Sequence, residues 1–235
     1  MSEFAGHENL ETVTKWRNFT RWIYEQIFPS LQGNILEVGS GLGTFSELII
    51  HDFPLSLITL SDISPSYVKN LEAKFSSKRV FVCKLDLNNI DDYERIGYEK
   101  FDSIIAINVL EHIENDERAL RQLYKMLKKD GVMVILVPAN KFLYNVIDES
   151  IGHWRRYTKK ELETKVGKNQ FRIERMFSFN ILGMFGWYIN GNLCKNPAIN
   201  KNVGSIFDKL VHLMKIVEKM FGRKIGLSII CIARK

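Results

Sequence analysis

Apolar and polar positions along the chain follow two rhythms that take turns. Trp16, Phe19, Ile23 and Ile27 recur at steps of three or four residues, which predicts an amphipathic helix over 16–28 that Pro29 ends. Short apolar runs without alternation then appear at 34–39 (NILEVG), 55–61 (LSLITLS), 80–86 (VFVCKLD), 101–108 (FDSIIAIN) and 131–138 (GVMVILVP). Between them lie helical stretches, from about Gly43 to His51, from Ser64-Pro65 onward, and from about Asn115 to Lys129. Ser64 as N-cap before Pro65 is a helix-start signal, and Asp130-Gly131 reads as the turn from the third helix into the next strand. Strands that are apolar on both faces and alternate with helices predict a parallel sheet covered on both sides.

Beyond Asn140 the rhythm changes. A polar loop carries Asp148 and the stretch GHWRRY (152–157), and Thr158 with Glu161 reads as a capping box. FRIERMF (171–177) and GLSIICIA (226–233) read as strands. Nearly fifty residues separate them, with an apolar patch at 181–189. A helix follows, with Ile206, Phe207, Leu210, Val211, Met214, Val217 and Phe221 on one face. No repeat or linker divides the chain, so one domain over 1–235 is expected, with 1–30 an N-terminal helical segment and 180–225 a helical insertion or lid.

Composition narrows the class. The 235 residues are 46% hydrophobic and 26% charged, an ordinary globular balance. No apolar run reaches eighteen residues, and the polar, acidic start reads as no signal peptide. Cys83, Cys194 and Cys231 are sparse and far apart, which suits a reducing interior, and a cytoplasmic location is expected. The net charge of +6 is concentrated. From 195 to 235 nine Lys or Arg stand against two acids, while the rest of the chain is close to neutral. This is a solvated helical face, or a patch that attracts an anionic acceptor or an anionic membrane surface.

The chemistry gathers where strands end. Glu37-Val38-Gly39-Ser40-Gly41-Leu42-Gly43 follows a strand and opens a helix, so glycines can turn the chain sharply and admit a ligand to the backbone. The spacing is G-x-G-x-G, not the G-x-G-x-x-G of dinucleotide sites, and an acid precedes it. That acid suits an amine-bearing ligand better than a pyrophosphate. Asp62 ends the second strand, where a carboxylate can accept both hydroxyls of a ribose; Asp86 ends the third and Asn108 the fourth.

ILEVGSGLGTFS, SDIS, KLDL, INVLEHIEND and GVMVILVP together resemble the class I S-adenosylmethionine-dependent methyltransferases, over roughly residues 15–180. The resemblance implies a Rossmann-like seven-stranded sheet with its last strand antiparallel, and S-adenosylmethionine as cofactor. It implies that Gly39, Ser40, Gly41 and Gly43 pass under the methionine part, with Glu37 toward the amino end. Asp62 would hold the ribose, Ile63 would lie beside the adenine, Asp86 would accept from its amino group with Leu87 as its neighbour, and Asn108 would line the sulfonium pocket. GHWRRYTKKEL and FRIERMFSFN resemble a bacterial subgroup of small-molecule and glycan pathways.

Methyl transfer to a hydroxyl needs in-line placement and removal of a proton. His112, Asp148 and His153 are the candidate bases, and Arg155, Arg156 and Tyr157 the candidate acceptor-binding residues, with the arginines gripping an anionic group. Glu111 and His112 resemble methyltransferases that orient vicinal hydroxyls on a divalent metal, but Asn108 stands where some have another acid, and no metal is expected. The expected activity is O-methylation of a sugar, lipid-linked or natural-product hydroxyl, with no DNA partner, peripheral membrane contact compatible with the late insertion, and an oligomeric state left open. A non-catalytic cofactor-binding scaffold subunit and an RNA ribose methyltransferase are the alternatives. The fourth strand ends in NVLE rather than N-P-P-aromatic, which argues against methylation of a flipped base.

Overall fold

The computed structural model describes residues 7–197 and 201–235. In chain order the elements are α1 His7–Thr14, α2 Arg17–Ile27, β1 Ile35–Val38, α3 Thr44–Asp52, β2 Ile58–Asp62, α4 Pro65–Lys74, β3 Val80–Lys84, α5 Ile90–Ile96, β4 Phe101–Ile107, α6 Asp116–Met126, β5 Leu127–Pro138, α7 Val146–Ser150, α8 Lys159–Lys168, β6 Arg172–Phe179, α9 Ile181–Trp187, α10 Lys201–Lys209, α11 Val211–Met220 and β7 Ser228–Arg234. The sheet runs β3-β2-β1-β4-β5-β7-β6, and β7 lies antiparallel to both neighbours while the β1–β5 pairs are parallel. Strand order reverses between β1 and β4, which opens a crevice at their carboxyl ends.

Both faces of the sheet are covered, as the unbroken apolar runs require. One core packs Leu36, Ile104, Met133 and Cys231 against α6 and α8; the other packs Ile35, Ile58, Ile105 and Val134 against α2 and α3. Trp22 of α2 packs on Phe179 at 4.4 Å between ring centroids, fixing the N-terminal helix to the end of β6.

Two local readings change. The third helix ends at Met126, and Asp130-Gly131 lies within β5, where Asp130 takes φ 63° and the pairing with β4 shifts register between Phe101 and Ser103. The turn-forming dipeptide makes a strand irregularity instead of a connection. The late amphipathic helix is two helices, α10 and α11. Phe207, Val211 and Met214 face the core, but Ile206, Leu210 and Phe221 of the same expected face are exposed. A break at Leu210 rotates the two halves, so one continuous inward stripe does not form. Residues 1–6 and 198–200 of the expected N-terminal segment and insertion lie outside the described residues.

Candidate functional site

The glycine turn is built by backbone conformation. Gly39, Gly41 and Gly43 all sit at positive φ (72°, 53° and 76°), which an L side chain rarely adopts. A Cβ on Gly39 would also come within 2.6 Å of Val109 Cγ2, so the turn after β1 and the turn after β4 touch.

Glu37 lies beneath this turn, 4% exposed. Its Oε2 accepts from the Ser46 hydroxyl on α3 and from Ser40 Oγ at 3.1 Å. Burial pushes its carboxyl up to about 7, against the hydrogen bonds of Ser46 and Ser40, which pull it down. Ser61 Oγ donates to Glu37 O at 2.8 Å, and Ser40 N–H donates to Ser61 O at 2.9 Å, which ties β1, the turn and β2 together.

Asp62 completes the clamp from the next strand. Its Oδ2 accepts the Gly41 N–H at 2.8 Å and its Oδ1 the Ser64 N–H at 2.9 Å. Burial raises its carboxyl above the ordinary range, with those two backbone donors opposing the shift. Each oxygen retains acceptor capacity toward the crevice. Ile63 beside it is 52% exposed.

Asp86 follows β3 and accepts the Asn88 N–H at 2.9 Å. Its own N–H donates to Asp92 Oδ2 at 2.9 Å, and Asp92 also pairs with Arg95 at 3.0 Å. Asp92 thus holds the β3 turn in place, a positioning role that its setting among ordinary helix acids did not reveal. Leu87 is buried, and Asn108, at φ 52°, is exposed just past β4 with its N–H on Leu136 O at 2.8 Å.

A second cluster stands after β4 and β5. Asp148, wholly buried, is the N3 residue of α7, whose cap Asn145 donates its N–H to Asp148 Oδ2 at 3.1 Å. Its Oδ1 lies 2.7 Å from His153 Nδ1 and 2.9 Å from Arg156 Nε. Burial opposes ionisation of Asp148, yet His153 and Arg156 outweigh it and hold the carboxyl below its ordinary range. A carboxylate oxygen can only accept, so His153 Nδ1 donates to Asp148 and Nε2 is the ring's remaining nitrogen.

That Nε2 lies 3.7 Å from Glu111 Oε1. Glu111 is fully buried, and neither of its carboxylate oxygens has a hydrogen-bond partner among the described residues. Burial pushes its carboxyl up to about 7. His112 donates from Nδ1 to Gly152 O at 3.2 Å and stacks edge-on against His153, ring centroids 4.7 Å apart. Burial and the neighbouring imidazole lower His112 to about 4. One ligand atom from each of Glu111, His112 and His153 lies within 4.8 Å of the others, so these three could hold a metal ion.

The expected anion grip does not form from the arginines. Arg156 is 3% exposed and bonds both oxygens of Asp148 and Ala139 O, while its guanidinium stacks on Trp187 at 4.7 Å. Arg155 bonds Glu114 O at 2.7 Å and pairs with Asp116 at 3.2 Å. Tyr157 is buried, its hydroxyl on Asp116 Oδ2 at 2.7 Å. A buried guanidinium binds a carboxylate already in the protein before it can wait for a ligand. The sequence places these residues beside the site; Asp116 lies about forty residues upstream of Arg155 and Tyr157, while Asp148 stands only eight residues before Arg156, in a loop with no periodicity to pair them.

The late insertion reaches this cluster. Asn145 Nδ2 donates to Asn192 Oδ1 at 2.8 Å, Ser150 Oγ to Pro197 O at 3.0 Å, and Trp187 Nε1 is buried without a partner among the described residues. β6 ends, and β7 begins opposite Pro138, at the carboxyl edge of β5, so the insertion emerges on the same side as the glycine turn.

A mixed seven-stranded sheet with a glycine turn at its switch point defines the class I methyltransferase fold. Residues 36–133 match the family model for a methyltransferase domain. The chain is 30% identical over 207 residues, 82% of its length and 75% of the relative's, to malonyl-[acyl-carrier protein] O-methyltransferase 1 of Ilyobacter polytropus. It is 26% identical over 182 residues to the probable polyketide synthase 10 of Dictyostelium discoideum, covering 69% of this chain and 7% of that much longer protein. A solved SAM-dependent methyltransferase from Archaeoglobus fulgidus superposes with a TM-score of 0.62 at 19% identity, covering 93% of this chain and 94% of that one. The chain belongs to the class I S-adenosylmethionine-dependent methyltransferases, and its cofactor is S-adenosylmethionine.

Proposed function

We propose that this enzyme transfers the methyl group of S-adenosylmethionine to a hydroxyl of a small-molecule acceptor, with His153 as the base. The observation that carries the reading is the buried Asp148–His153 pair at 2.7 Å, which leaves Nε2 directed toward Glu111. A carboxylate acceptor arrives without a proton to lose, so an oriented imidazole contributes most with a hydroxyl. The name of the Ilyobacter relative supports oxygen as the methylated atom, and the polyketide synthase match supports a natural-product acceptor. A sugar or lipid-linked hydroxyl fits the same chemistry.

In this reading the cofactor's ribose hydroxyls donate to Asp62, the adenine lies between Ile63 and Leu87 with its amino group toward Asp86, and the methionine part crosses Gly39–Gly43. Asn108 lines the pocket at the sulfonium. Asp148 and Arg156 are positioning residues for His153, and residues 180–225 roof the acceptor within one domain spanning the chain. His153→Gln should keep cofactor affinity within about twofold while lowering transfer of labelled methyl to a screened acceptor by about 10²–10⁴-fold. Full turnover in that variant would remove His153 from the reaction.

A second reading rests on the two unpartnered oxygens of Glu111. A divalent cation on Glu111, His112 and His153 would satisfy them and could bind a hydroxyl oxygen. Calorimetric titration of the protein with Mn²⁺ or Zn²⁺ separates the readings: saturable heat lost in Glu111→Gln favours the cation, and no heat favours the imidazole acting alone.

A further inference from the structure

The two helices before the last strand carry a second apolar face that nothing in the chain covers among the described residues. Ile206, Leu210, Leu213, Ile216, Met220 and Phe221 are all exposed, from 48% at Leu210 to 78% at Met220. Steps of three, three and four residues place Leu210, Leu213, Ile216 and Met220 in one stripe along α11, with Ile206 on α10 before the break and Phe221 just after α11. The opposite side of α11, through Val211 and Met214, is already spent on the core. A helix apolar on two sides has a use for the outer one, since exposed side chains of this size otherwise cost solubility.

Charge indicates what the stripe meets. Residues 195–235 hold nine Lys or Arg and two acids, and the structure turns both acids inward. Asp208 accepts the Phe19 N–H at 2.8 Å and pairs with Asn18 on α2. Glu218 is 2% exposed and accepts the N–H groups of Asn180 and Ile181 at 3.1 Å and 3.0 Å. Lys209, Lys219 and Lys224 are exposed beside the apolar stripe. Lys215, by contrast, pairs with Glu25 at 2.6 Å, and Arg223 bonds Gln26. The outward surface is therefore apolar along its middle and cationic at its margins, with its negative charge withdrawn. No helix among the described residues is long and apolar enough to cross a membrane.

We propose that the outer face of α10 and α11 docks the enzyme on the surface of an anionic bilayer. The apolar stripe enters the boundary between headgroups and acyl chains, and the lysines meet anionic headgroups. Because the insertion also contacts the α7 segment through Asn192 and Pro197, docking would bring the proposed acceptor site close to the membrane surface. The proposal does not depend on which acceptor is methylated.

Sedimentation of the full-length protein with phosphatidylcholine vesicles, with and without 30% phosphatidylglycerol, tests it. Partitioning should be at least tenfold stronger onto the anionic vesicles, and added salt should weaken it, since each lysine brought to such a surface contributes about a fivefold gain. Leu213→Ser/Ile216→Ser/Met220→Ser and, separately, Lys209→Glu/Lys219→Glu should each cut binding about tenfold or more. Unchanged circular dichroism and cofactor affinity in both variants show that the fold survives. Equal partitioning onto both vesicle types, or wild-type partitioning by both variants, overturns the proposal. A wild-type dimer that the serine variant converts to monomer would assign the face to a second copy and overturn it as well.

Discussion

Glu37 lies buried beneath the glycine turn with no cation against it among the described residues, and its titration should be visible in the stability of the whole protein. Burial raises its carboxyl to about 7 from an ordinary 4.5. The native state therefore holds this proton over a window in which the unfolded chain has released it. Stability must fall as pH rises from about 4.5 to about 7, and the penalty is complete above that range. A shift of this size corresponds to about 3 kcal/mol. Glu37→Gln removes the charge and can keep both serine hydroxyls, because Ser40 and Ser46 donate to the same oxygen, Oε2. Urea unfolding at several pH values between 5 and 8 should show the variant gaining on the wild type as pH rises, by up to about 3 kcal/mol at pH 8. Asp62 is raised by burial too and stays in both proteins, so the variant's curve should be flatter without being flat. If the cofactor's ammonium binds toward Glu37, it favours the charged form. Binding near pH 6.5 should then release a proton, detectable by calorimetry in buffers of different ionisation enthalpy. Parallel wild-type and variant stability curves would refute the reasoning, because they would mean that Glu37 is ionised at no cost.

Two further outcomes follow from the same geometry. Gly41→Val forces a β-branched residue to φ 53° in the turn, and cofactor binding should be lost in a protein that still folds by circular dichroism. Arg156→Ala strands the Asp148 carboxylate in the interior, which should cost about 3–5 kcal/mol and lower the melting temperature by roughly 6–20 °C, as read by calorimetry.

The fold was legible because its signals are local and periodic. Runs such as ILEV and IIAI are almost wholly buried, and the first opens into the glycine turn while the second ends at Asn108, where the crevice lies. The glycine turn and Asp62 could be placed by strand ends alone, and the structure joins them through the Gly41 N–H. Side-chain partnerships made in irregular segments were not legible, near or far in sequence, because no period fixes which way those side chains face. Arg155 and Arg156 look like a basic loop until Asp116 and Asp148 are found beside them. Asp148 reads as a base, yet it caps α7 and orients His153, because a carboxylate with three donors around it has little left to give a substrate. Glu111 stands out in the sequence only as a neighbour of His112; that its carboxylate oxygens are buried with no hydrogen-bond partner among the described residues appears once the chain is folded. In the late insertion two apolar faces overlap in one sequence, and periodicity alone cannot assign them to core or to surface.

We place S-adenosylmethionine in the crevice formed by the glycine turn and Asp62. Titration calorimetry of the demethylated cofactor into wild type and Asp62→Ala tests it most directly. Loss of the ribose hydrogen bonds should weaken binding by about 1.5–3 kcal/mol, which is roughly ten- to 150-fold. Affinity within twofold of wild type would place the cofactor elsewhere.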